Sequence, residues 1–137
     1  MPKLKHIAII TLDPEKLEKF YTEVFDMKVL HKTKTGGVYL TDGYINLALL
    51  PNRAEGKPSG INHFGFEIED ADETTKRLAE WDINEPTERP RNRPYAETRA
   101  SDPDGNNIDL SVHGFGDVEY AADREKTAKK KLETVEG

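Results

Sequence analysis

The chain repeats itself. His6 and His63 are 57 residues apart, and so are Asp13 and Asp70, each of which precedes a helical pattern. At the same offset Tyr21 falls on Leu78 and Val24 on Trp81. A fixed internal offset carried by several residue types points to a duplicated structural unit, which constrains the fold more than any single motif.

Within the first unit, residues 5–10 alternate as a strand, with Ile7 and Ile9 on one face and His6, Ala8 and Ile10 on the other. Asp13 as N-cap, Pro14 at the first helical position and Glu15 in the first turn then predict a helix. Leu17, Phe20, Tyr21 and Val24 give it an apolar stripe. Strands are predicted at 27–34, 38–41 and 44–50, with Asp42-Gly43 turning the last pair. The order is β-α-β-β-β.

Pro51 to Gly60, with two prolines, two glycines and almost nothing apolar, reads as a linker. The pattern then restarts. A strand at 61–68 sets Phe64, Phe66 and Ile68 opposite His63, Gly65 and Glu67. Asp70 caps a helix burying Ala71, Leu78 and Trp81, and strands are predicted at 83–87 and 95–101. Asp102-Pro103-Asp104-Gly105 turns into a last strand in which Ile108 and Leu110 alternate with Asn107, Asp109 and Ser111. Asn46 and Asp109 are expected at matching positions of the two last strands. From Asp117 onward Ala121, Ala128, Leu132 and Val135 suggest an amphipathic helix with Lys129–Lys131 exposed. The expected fold is therefore α+β: two βαβββ modules (about 4–50 and 61–114) forming one cupped mixed sheet, with a helical tail at 117–137, in a single domain.

Several function classes are excluded or disfavoured. With no cysteine among 137 residues, thiolate catalysis and cysteine-ligated metals are excluded. A formal charge of −6 disfavours nucleic-acid binding, and the small cluster Arg89, Arg91 and Arg93 does not reverse it. No signal segment or membrane-length apolar run is present in this sequence, so a cytoplasmic protein without membrane contact is expected.

In each strand the bulky aliphatic residues fall on the face that should meet the helices. The other face collects His6, Asn46, His63 and Asp109, with Ala8, Ala48, Gly65 and Ser111 as small neighbours. Two imidazoles and a carboxylate on a rigid scaffold suit a divalent metal, Fe(II) first, with Mn(II), Zn(II) or Ni(II) possible. Tyr95, Glu97 and Arg99 alternate toward the same face as catalytic or binding candidates. Arg99 is expected to pair with Glu97, or else to grip a substrate carboxylate or phosphate. Asn46 is a candidate for contact with substrate. His31 and His113, which lack repeat partners, read as surface residues.

On the paired modules, the two first-strand histidines and the Asp102-Pro103-Asp-Gly-Asn turn, residues 4 to 114 resemble the vicinal-oxygen-chelate superfamily. That superfamily includes glyoxalase I, extradiol dioxygenases, fosfomycin-resistance transferases and bleomycin-binding proteins. The resemblance implies metal ligation by His6, His63 and Asp109, frequent homodimers and a small oxygenated substrate chelated by the metal. Asp109 stands where the usual last ligand is Glu. Asn46 replaces a ligating, catalytic Glu of glyoxalase-like members, and Ile10 their cationic glutathione contact. The extradiol signature would put Tyr at Arg99. The leading expectation is a metal-dependent, dioxygenase-like enzyme. The alternatives are a glyoxalase-type lyase or isomerase and a metal-free binding protein of the bleomycin-resistance kind.

Overall fold

A computed structural model describes residues 1–53 and 58–136, with side chains through Thr127. The first module runs β1 (Lys3–Thr11), α1 (Pro14–Phe25), β2 (Lys28–Lys32), β3 (Val38–Thr41) and β4 (Asn46–Pro51). The second runs β5 (Gly60–Glu67), α2 (Ala71–Glu80), β6 (Thr87–Glu88), β7 (Thr98–Ser101) and β8 (Asn107–Ser111), and α3 (Val118–Glu136) follows. The strands form one eight-stranded mixed sheet in the order β2-β3-β4-β1-β5-β8-β7-β6. The modules join edge to edge through the antiparallel pair β1–β5, so both halves of the sheet belong to one chain.

Both helices start as the sequence predicts. Asp13 accepts from the Lys16 amide at 3.1 Å, and Asp70 from the Glu73 amide at 3.1 Å. The turns also repeat. Asp42 accepts from the amides of Tyr44 and Ile45, and Asp102 from those of Asp104 and Asn106, all at 2.9 Å. Gly43 (φ 97°) and Gly105 (φ 87°) supply the left-handed backbone these turns require.

The helix-facing side of the first module packs Val38, Leu40, Leu47 and Leu49 against Ile7, Ile9, Leu17, Tyr21 and Met27. Ile68, Ala100 and Leu110 form the second core with Phe66, Leu78 and Ile108. On the opposite side Ala8, Tyr39, Ala48, Tyr95, Ala96, Phe115 and Ala121 pack together, so α3 closes part of the cup.

Some expectations are corrected. Trp81 is 74% exposed: α2 stops at Glu80, and Trp81 as C-cap leaves the apolar stripe. Ala71, Phe20 and Val24 are exposed too, leaving Leu17, Tyr21 and Leu78 as the packing contacts. The strand predicted at 83–87 shrinks to β6. That at 95–101 starts only at Thr98, and ahead of it the carbonyls of Arg93 and Ala96 accept from Arg124 of α3. Part of the linker, residues 54–57, lies outside the described residues, as do the side chains of Ala128, Lys129–Lys131, Leu132 and Val135.

The register corrects a further expectation. His6 pairs with Asn46, but Asp109 pairs with Gly65, two residues beyond His63. By pairing, Asn107 rather than Asp109 is the counterpart of Asn46. The second module thus advances its acid by one full pleat. Side chains alternate faces with period 2, so this shift keeps the acid inside the cup.

Candidate metal centre

One rung of the sheet carries most of the site. Adjacent strands pair Asn46 with His6, His6 with Gly65, Gly65 with Asp109, and Asp109 with Arg99. His63 stands one pleat along, opposite Ala8. The glycine in the middle is a spatial requirement. A Cβ there would lie 2.8 Å from Phe115 Cζ and 3.1 Å from both the Asp109 carbonyl oxygen and His6 Cβ. His6, His63 and Asp109 are all buried, and their ligand atoms fall within 4.8 Å of one another.

The hydrogen bonds behind the rings decide what the rings present. Asn46 Nδ2 donates to the Phe115 carbonyl at 2.7 Å, which turns its Oδ1 toward His6 Nδ1, also at 2.7 Å. His6 therefore carries its proton on Nδ1 and offers the Nε2 lone pair to the cup. Asn62 Oδ1 takes the same place behind His63 Nδ1, at 2.7 Å. His6 Nε2 and His63 Nε2 then face each other at 3.3 Å, with Asp109 Oδ2 at 3.0 Å from His63 Nε2 and 4.0 Å from His6 Nε2. Three acceptor atoms converge on one point, which is favourable only with a cation between them. Atoms ligating a common metal at about 2.1 Å stand about 3.0–3.4 Å apart. Two of the three edges meet that spacing and the third is wider. The donor set fits a divalent metal, and Asp109 reaches the histidines despite being shorter than Glu.

Electrostatics suit the same role. Burial, reinforced by the neighbouring His63, lowers the His6 pKa to about 4, so the ring is neutral and able to ligate at ordinary pH. Burial alone would raise the Asp109 pKa, but the adjoining His63 ring and Arg99 guanidinium outweigh it and hold the carboxyl well below its usual range. Arg99 Nε donates to Asp109 Oδ1 at 2.7 Å, leaving Oδ2 for the histidines.

That pairing overturns the expected Arg99–Glu97 contact. Glu97 is taken up at the end of β8 instead: its carboxylate accepts from the Ser111 hydroxyl and from the amides of Val112 at 2.7 Å and His113 at 3.4 Å. It braces the turn after β8 and does not line the cavity. Asn46 likewise sits behind His6. Arg99 and Tyr95 do line the cavity, which has a volume of about 440 Å³. The Tyr95 hydroxyl is buried with no hydrogen-bond partner among the described residues, and burial raises its pKa to about 12. His31 is not a free surface residue, since it meets Glu125 of α3 at 3.1 Å. His113 is half exposed and stacks on Tyr120.

Sequence reasoning missed Asn62, Tyr39 and the cavity-lining side of Arg53, Arg89 and Arg93. Asn62, directly before a ligand-type histidine, was the one with a readable signal.

The sequence profile of the Glyoxalase/Bleomycin resistance protein/Dioxygenase superfamily matches residues 3–110. The chain belongs to this superfamily. No curated protein matches it by sequence. Among solved structures, hypothetical protein BH1468 from Bacillus halodurans C-125 is 19% identical with a TM-score of 0.62, over 80% of this chain and 92% of that one. The 2,3-dioxygenase LapB from Pseudomonas sp. KL28 is 19% identical with a TM-score of 0.66, over 80% of this chain but 40% of its own. Methylmalonyl-CoA epimerase from Mycobacterium tuberculosis is 16% identical with a TM-score of 0.62, over 78% and 85%. At these identities the likeness establishes the shared fold. Among the described residues, no helix is long and apolar enough to cross a membrane.

Proposed function

We propose that the chain is a metal-dependent enzyme whose His6, His63 and Asp109 hold one divalent ion, Fe(II) by preference. Its substrate would be a small oxygenated molecule chelated in the 440 Å³ cavity. The observation that carries this reading is the convergence of His6 Nε2, His63 Nε2 and Asp109 Oδ2 within 3.0–4.0 Å, backed by an asparagine oxygen behind each ring, of which that of Asn46 is turned by the Phe115 carbonyl. When bound, the metal supplies Lewis-acid polarisation of the substrate's neighbouring oxygens, and two histidines with one carboxylate leave positions open for them.

The protein's own groups divide the remaining work. Asn46 and Asn62 orient the histidines, and Arg99 holds Asp109 so that a single oxygen faces the centre. Tyr95, which keeps its proton at ordinary pH, offers an unpaired donor to a bound ligand. Asn46 is an amide already engaged at both ends, so it supplies no general base. This supports the reading of oxygenase chemistry over glyoxalase-type proton transfer. All three ligands come from one chain, so the homodimer implied by the family resemblance is not needed to complete the set.

Anaerobic reconstitution with Fe(II), Mn(II), Zn(II) and Ni(II), screened against catechols, 2-oxoaldehydes and epoxides, tests the assignment. Substrate-dependent oxygen uptake with Fe(II) supports it. Turnover of a 2-oxoaldehyde adduct without oxygen uptake replaces it with the lyase reading.

A further inference from the structure

The cavity is far more basic than the chain that forms it. Arg53, Arg89, Arg93 and Arg99 all line it, and Asp109 is its one carboxylate among the described residues, although the whole chain has a formal charge of −6. Arg99 is neutralised by Asp109, and Arg53 donates to the Thr35 carbonyl. Arg89 and Arg93 have no acidic side-chain partner among the described residues. Arg89 Nε is closed off from solvent with no acceptor for its proton among the described residues. Burial, and then the nearby Arg99 guanidinium, pull the Arg89 pKa below its usual value.

The segment bearing these arginines is held in place. The Arg93 amide closes a turn onto the Pro90 carbonyl at 2.9 Å, and the Arg89 amide bonds the Glu97 carbonyl at 2.9 Å. Pro94 is fully buried. From α3, the buried Arg124 donates to the carbonyls of Arg93 at 3.4 Å and Ala96 at 3.0 Å. Arg93 is exposed and Arg89 half-buried, and two cations on one short segment of the cavity lining with no acid beside them set up a positive potential that an anion between them would relieve. The unpartnered Tyr95 hydroxyl lines the same cavity and adds a neutral donor.

We propose that the cavity binds a small organic anion, a carboxylic or phosphoric acid, whose charged group is held by Arg89 and Arg93 while its other end reaches the His6–His63–Asp109 corner. Planar guanidinium groups pair with carboxylates and phosphates through paired N–H donors. A volume of about 440 Å³ suits a metabolite and not a polymer backbone. The grip at Arg89 and Arg93 stands on the arginines alone, and only the reach toward the corner rests on the metal reading.

The test therefore uses metal-free protein. Wild type and the variants Arg89→Gln, Arg93→Gln and Arg89→Lys/Arg93→Lys are titrated calorimetrically with malonate, inorganic phosphate and uncharged malonamide. Malonate or phosphate should bind wild type and malonamide should not. Each Gln variant should weaken anion binding by roughly tenfold or more, with the Lys pair retaining most of it. Tighter malonate assigns a carboxylic acid, and tighter phosphate a phosphoryl group. Equal binding of malonate and malonamide, no anion binding at all, or full anion affinity in the Gln variants overturns the proposal. The wild-type comparison decides even where a variant is unstable. Metal titration of the same proteins without anions reads the other assignment separately, since the Gln variants should still bind metal as wild type does.

Discussion

Replacing Gly65 with alanine should damage the fold and the metal centre together. The added Cβ would lie 2.8 Å from Phe115 Cζ and 3.1 Å from the Asp109 carbonyl oxygen and His6 Cβ. Ordinary carbon contacts stand at about 3.5–4.0 Å, so the Phe115 ring must retreat by about 0.7 Å or more. Phe115 is buried and stacked on His6 with centroids 4.7 Å apart, so the ring cannot retreat without disturbing the histidine. Overpacking of this kind costs about 1–3 kcal/mol, offset by about 0.4–1 kcal/mol from the lower entropy of the unfolded alanine chain. The net expectation is a loss of roughly 0.5–2 kcal/mol in urea unfolding of the metal-free protein, with metal affinity lowered by roughly tenfold as His6 shifts. Gly116, where a Cβ meets nothing within 4 Å and no positive φ is involved, is the control and should tolerate alanine in both assays. If Gly65→Ala is as stable as wild type and binds metal equally well, the crowded rung described above is wrong.

Three other perturbations follow from the same geometry. Asn46→Leu removes the acceptor behind His6 and the donor to Phe115, and should lower metal affinity by about 10–100-fold in a competition titration. For metal-free protein, the His6 pKa of about 4 lies below the unfolded value of 6.5, so the unfolded state binds more protons between those values. Stability is then fully present above about pH 6.5 and falls by up to about 3 kcal/mol as pH drops to about 4, a slope that denaturation at stepped pH should show and His6→Asn should remove. Arg124→Leu strips the donors from the Arg93 and Ala96 carbonyls and should cost about 1–3 kcal/mol by the same unfolding assay.

The fold was legible because its signals are local and duplicated. Asp13 and Asp70 cap their helices at the expected atoms, and the alternation around His6 and His63 assigns both faces of the sheet correctly. What failed depends on pairing across strands or on segments far apart in sequence. The two-residue advance of Asp109 past His63 is set by strand register, which alternation alone does not encode. Arg99 takes Asp109 rather than Glu97 because they are directly paired on β7 and β8, whereas Glu97 turns back to the end of β8. His31 is tied down by a helix that begins at Val118, and the cluster at Arg89 and Arg93 reads only as too small for nucleic acid because nothing local says that α3 pins its loop beside the cavity.

The central claim is that His6, His63 and Asp109 form one metal site, and a stoichiometry measurement tests it most directly. Protein purified without chelator and loaded anaerobically with Fe(II) or Mn(II) is analysed for bound metal beside folded His63→Ala and Asp109→Asn variants. The geometry predicts one ion per chain in the wild type and essentially none in either variant. A wild type that stays metal-free, or variants that keep their ion, would contradict it.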